Sequence, residues 1–218
     1  MNIIAKLLAA VGAVAMFSFS SGASAVPVTF NITAAQFTPG QGYGIDRDEN
    51  SGNLLDVRFS TNAFSAQNFA LSAVNQSITF NFGTIDLEEP DAHGGIASPE
   101  ESDSLGISAR LTFSAPTGVA QTILATGVAT PGNVSDAAVD YVIDWSPVDV
   151  LFGDGGKFRI SLNDMAFSDQ GTQFQTATIT LLSLPQESSP TDVPEPGSIA
   201  LLGLGLLGVA ASRRKSAK

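Results

Sequence analysis

Apolar and polar residues alternate with period two in seven stretches: Val28/Phe30/Ile32, Leu55/Val57/Phe59, Ile78/Phe80/Phe82, Ile107/Ala109/Leu111/Phe113, Val139/Tyr141/Ile143/Trp145, Phe158/Ile160/Leu162 and Ala177/Ile179/Leu181. Polar or charged residues fill the positions between them, among them Asp56 and Arg58, Thr79 and Asn81, and Asp140 and Asp144. Period two buries one face of an extended strand and leaves the other wet. Residues 69–74 and 119–124 carry a weaker version of the pattern. Clusters of Gly, Pro, Asn and Asp at residues 39–40, 50–53, 116–118, 131–133 and 153–156 punctuate the runs as turns. No long amphipathic helical pattern interrupts them. The expected fold is all-β, an antiparallel β-sandwich or jelly roll of about seven to nine strands.

Phenylalanine dominates the apolar positions, with fourteen against one Trp and two Tyr. Phe30, Phe59, Phe80, Phe82, Phe113 and Phe158 fall on the apolar sides of their strands and are expected in the core, as are Tyr141 and Trp145. Tyr43, between Gly42 and Gly44, is expected at the surface. There is no cysteine, which excludes a disulfide framework, a thiol nucleophile and a lipoprotein-type signal, so stability has to come from burial.

The two ends depart from the strand rhythm. Lys6, the apolar run of residues 7–19 and the small-x-small sequence Ala23-Ser24-Ala25 form a secretory signal peptide, with cleavage expected before Val26. At the other end Pro194-Glu195-Pro196 precedes the uncharged residues 198–212 and then Arg213-Arg214-Lys215. As a helix, residues 198–212 would extend about 22 Å, short of the ~30 Å hydrocarbon core, and Gly203, Gly205 and Gly208 weaken the helix further. The basic cluster places that end in the cytoplasm under the positive-inside rule. The expected organisation is a signal peptide at 1–25, a β-sandwich at 26–184, a linker at 185–193 and a sorting signal with a short transmembrane helix at 194–218.

This order of short polar motif, apolar span and basic stop resembles the C-terminal signal of PEP-CTERM proteins. The resemblance implies export through the translocon and signal peptidase of a Gram-negative bacterium. It further implies processing by the membrane enzyme exosortase, whose recognition motif maps onto Pro194, Glu195 and Pro196. It also implies a place at the cell surface, in the extracellular polysaccharide or biofilm matrix.

Without its ends the body is strongly acidic. Between Val26 and Pro194 twenty Asp or Glu face five Lys or Arg, a net charge of −15. Nucleic acid and anionic lipid are repelled by such a body, whereas cations and basic polymers are attracted. Asp46, Asp48 and Asn50 place oxygen side chains at alternate positions ahead of Gly52, the spacing of a loop wrapped around calcium. The glycine stands one residue late and the bidentate Glu of the helix-loop-helix pattern is missing. Residues 86–103 hold seven carboxylates around His93 and read as a solvated loop. A glycosidase pair drawn from Glu88, Glu89, Glu100 and Glu101 would need carboxyls fixed at a defined separation. No G-x-S-x-G elbow or phosphate-binding glycine loop is present.

The residues therefore favour a protein that is not an enzyme and has no cofactor beyond calcium. It is either a structural matrix component or a carbohydrate- or calcium-binding module. An exposed aromatic patch around Tyr43 and Trp145 would separate the two, because rings that bind sugars must be presented to solvent.

Overall fold

The computed structural model describes residues 26–46, 54–90, 94–97 and 99–186. These form twelve strands: β1 Val28–Pro39, β2 Tyr43–Gly44, β3 Leu55–Ser60, β4 Gln67–Leu71, β5 Ser77–Leu87, β6 Gly106–Ala115, β7 Ala120–Ala129, β8 Tyr141–Ser146, β9 Val148–Phe152, β10 Gly156–Leu162, β11 Met165–Phe167 and β12 Gly171–Ser183. They build two six-stranded sheets, ordered β11-β8-β7-β6-β1-β4 and β2-β3-β5-β12-β10-β9. The short β2–β3 pair is parallel, and the other pairs are antiparallel. The expected β-sandwich is observed, with more strands than the alternation announced. β2 and β11 are too short to show a period. β9 follows β8 after Pro147 alone, where the missing N–H ends one ladder and the chain crosses from the first sheet to the second.

Bulges explain where the simple alternation stops. In β5, Asn81 lies opposite Thr176 and Gly83 opposite Gln175, which leaves Phe82 as an extra residue. Phe80 and Phe82 point inward before the bulge, and Ile85 and Leu87 after it. The strand therefore runs to Leu87, and Asp86 lies inside it rather than opening a loop. Gly83 is required at the bulge, since a Cβ there would sit 2.3 Å from the Ser60 carbonyl oxygen. Register shifts in β1 around Ile32 likewise carry Phe37 onto the core after Phe30 and Ile32.

Aromatic rings fill the space between the sheets. Phe30 of β1 stacks on Phe69 at 5.3 Å and meets Phe158 of the opposite sheet edge-on at 5.1 Å, and Phe113 and Phe152 pack on the same Phe158 ring. A second group joins Phe37 to Phe59, Phe82 and Trp145. Of the expected core phenylalanines only Phe59 is partly buried; the other five are buried. Two acids expected on the wet face, Asp56 and Asp140, are buried instead. Both lie at strand ends, where neighbouring loops fold over them.

Strand direction sorts the turns to two poles. One pole gathers residues 40–46, 88–90, 94–97, 99–105, 130–140 and 168–170, tied by bonds such as Gly40 N–H to the Gly106 carbonyl and by the Ile96–Gly132 bridge. The other gathers residues 72–76, 116–119, 153–155 and the departing chain at 184–186. Near this second pole Asp149 accepts from Arg159 at 2.7 Å and from Lys157 at 2.8 Å. These two partners hold its carboxyl well below the usual carboxylate range.

Phe30→Ala should cost about 3–5 kcal/mol, because it removes a ring that touches both sheets, whereas Thr29→Ala on the outer face should stay within about 0.5 kcal/mol. Urea denaturation of both variants checks the contrast. Similar small losses would place Phe30 outside the core.

Candidate functional site

The acidic pole is built by β3 and the far end of β5. Their pairing sets Arg58 opposite Asp86 and brings the two acidic stretches singled out in the sequence side by side. The Asp46 amide donates to Asp56 Oδ1 at 2.7 Å, and the Asp56 amide donates to Glu89 Oε2 at 3.1 Å. Asp56 and Glu89 are each only 1 % exposed. Glu88 pairs with Arg58 through two bonds, at 2.9 and 3.2 Å. Glu101, in the short 3-10 turn Glu100–Ser102, accepts the Ala97 amide at 2.6 Å and is buried. Asp56, Glu89 and Glu101 hold backbone in place and Glu88 holds Arg58, so the described part of residues 86–103 is not the solvated loop its charge suggests. Beside them a depression of about 350 Å³ is lined by Asp86, Leu87, Glu88, Pro90, Gln170 and Gly171.

Of the calcium candidates, Asp46 is described; Asp48 and Asn50 lie outside the described residues. Asp46 Oδ2 is buried with no hydrogen-bond partner among the described residues. No three His, Asp or Glu side chains among those residues are gathered to hold a metal. The sorting residues Pro194, Glu195, Pro196, Arg213, Arg214 and Lys215 also lie outside the described residues, as does His93.

Beneath the acidic pole sits a pair that sequence reasoning missed. Tyr43 is 8 % exposed, not at the surface as its flanking glycines suggested. Its hydroxyl lies 2.7 Å from that of Tyr141 and donates to the Leu105 carbonyl at 2.8 Å. Those glycines serve close packing: a Cβ on Gly42 would meet the Asp103 carbonyl oxygen at 2.2 Å. Burial pushes both phenols well above their ordinary range; the neighbouring Tyr43 raises Tyr141 further, whereas the bond with Tyr141 offsets part of the rise at Tyr43. Trp145 is buried as expected, and its Nε1–H donates to Gln175 Oε1 at 3.0 Å. Tyr43, Tyr141 and Trp145 thus present no ring to a sugar.

Residues 192–215 match the family model described as the PEP-CTERM protein-sorting motif. The tail is a PEP-CTERM sorting motif. No curated protein and no solved structure matches the chain. The PEP-CTERM motif covers the expected recognition sequence Pro194-Glu195-Pro196, the uncharged run and the basic cluster. It makes exosortase the processing partner and implies export across the membrane to the envelope of a Gram-negative bacterium.

The tyrosine pair makes the fold sensitive to alkali. Below about pH 10 both phenols are neutral in either state and their contribution is fully present. Above it the unfolded chain releases protons that the folded chain keeps, so stability falls by up to about 1.4 kcal/mol per pH unit for each tyrosine. Because Tyr43 and Tyr141 are the two tyrosines of the chain, absorbance at the tyrosinate band reads the pair alone. It should appear together with loss of the β circular-dichroism signal. Tyrosinate forming at ordinary phenol pH in a folded protein would contradict the buried pair.

Proposed function

We propose that the body is a non-catalytic structural component of the extracellular polysaccharide matrix, delivered there by its PEP-CTERM tail. The observation that carries this reading is the burial of Tyr43, Tyr141 and Trp145. It withdraws from solvent the Tyr and Trp rings on which sugar recognition was expected to rest, and leaves Phe174 as an exposed ring among the described residues. The bonds made by Glu88, Glu89 and Glu101 also favour it, since the first two fasten their segment to β3 and the third closes its own turn. A compact, acidic, cysteine-free body suits a load-bearing or space-filling part outside the cell.

Fractionation tests this. The mature protein should be recovered with the surface polysaccharide, begin at Val26 and lack any peptide from residues 213–218 by mass spectrometry. Deleting it should loosen the matrix without changing the release of glycan fragments. Fragment release that depends on the protein would overturn the structural reading in favour of an enzyme.

A second reading has its own observation. The buried Asp46 Oδ2, without a partner among the described residues, stands at the first position of the calcium-type spacing Asp46, Asp48, Asn50, and such an oxygen is accounted for by an ion or a water. A loop closed on calcium should gain about 2.7 kcal/mol when the ion is at a hundred times its Kd. Melting in millimolar calcium against chelator reads that gain. An unchanged melting temperature would remove calcium from the account.

A further inference from the structure

The second pole carries an arrangement that the sorting motif makes meaningful. β12 ends with Ser183 opposite Lys157, and the Gln186 amide donates to the Asp154 carbonyl at 2.7 Å, so the described chain leaves the sandwich beside the β9–β10 turn. The same pole holds residues 72–76, fastened by the Asn75 amide to the Leu181 carbonyl at 2.7 Å. Val28, paired with Leu71, and the β6–β7 turn complete it. Val26, Val74, Ile78, Val119 and Leu151 are all exposed here.

Charge is distributed the opposite way. Among the described residues the carboxylates of Asp46, Asp56, Asp86, Glu88, Glu89, Glu101, Asp103, Asp136 and Asp140 lie at the far pole, where Arg58 is committed to Glu88. Among the described residues around the chain exit, Asp149 and Asp154 are balanced by Lys157 and Arg159. An acidic body tethered at its acidic pole would be pushed off an anionic bilayer, whereas this one is tethered at the pole where its described charges balance. Residues 187–198 reach at most about 43 Å when fully extended. That short tether makes even a weak surface contact intramolecular, at an effective concentration in the millimolar range.

We propose that, before exosortase cuts the tail, the sandwich rests on the lipid surface through Val26, Val74, Val119 and Leu151, with its acidic pole turned away from the membrane. The proposal rests on membrane insertion of residues 198–212. In this posture the linker and Pro194-Glu195-Pro196 are held near the bilayer, where a membrane enzyme works, and cutting the tail releases the body because the contact is weak without its tether.

The chain has no cysteine, so one substitution places one nitroxide label on the signal-peptide-free form, residues 26–218, reconstituted in phosphatidylcholine–phosphatidylglycerol vesicles. Labels at Val74→Cys and Val119→Cys should show an oxygen-to-nickel-complex accessibility ratio at least about threefold above labels at Asp136→Cys and Asp169→Cys, as expected for contact with the headgroup boundary. Leu206→Cys serves as the control for insertion of the tail. Equal ratios at both poles with Leu206→Cys in lipid would overturn the lipid contact alone, and Leu206→Cys in water would overturn the insertion on which it rests. A rise at Val74→Cys and Val119→Cys that needs co-reconstituted exosortase would also overturn it, assigning this pole to the enzyme.

Discussion

The contact on which the sandwich depends is the meeting of Phe30 with Phe158 across the two sheets, 5.1 Å between ring centres. A cysteine-free domain has no covalent link between its sheets, so side chains that reach from one to the other must hold them in register. Phe30 and Phe158 anchor a group that includes Phe69, Phe113 and Phe152. The Phe37, Phe82 and Phe59 group takes over towards the acidic pole, where Phe59 meets Tyr43 and Tyr43 meets Tyr141. Large planar rings suit this task because each buries much area at little cost in rotamer entropy.

Polar groups finish what the rings begin. Strands β8 and β10 both leave their sheets at one corner, through Pro147 and through Asn163-Asp164. Buried Gln175 bridges that corner, taking the Trp145 Nε1–H and donating to both oxygens of Asn163, while Asp164 accepts the Trp145 amide. At the acidic pole carboxylates do similar work. A buried carboxylate is costly unless backbone N–H groups serve it, and Asp56, Glu89 and Glu101 each accept one. The charge that looked like solvated surface in the sequence is partly internal scaffolding. Among the described residues, what is left outside gathers towards one pole, and the charges around the chain exit balance.

Most of the fold was legible because its strands bury one face and alternate. Val28/Phe30/Ile32, Ile107 to Phe113, Phe158 to Leu162 and Ala177 to Leu181 all face the core as their spacing requires. The alternation failed at Phe82-Gly83, where one extra residue reverses the phase, and at β2 and β11, which are too short to show any. The acidic pole was legible as composition only. Asp46, Glu88 and Glu89 were visible as acids, but their convergence depends on the pairing of β3 with β5, which joins residues some thirty positions apart.

By itself the sequence determined the address of this protein, since a sorting signal is read as a linear order of motif, apolar run and basic stop, and that order needs no fold. It also determined the all-β class, because period two is a local property of the chain. Only the tertiary structure decided that Tyr43 is internal, that Asp56 and Glu89 are fasteners, and that charge and chain exit occupy opposite poles. Each of these depends on which distant strands become neighbours, and local spacing does not encode that.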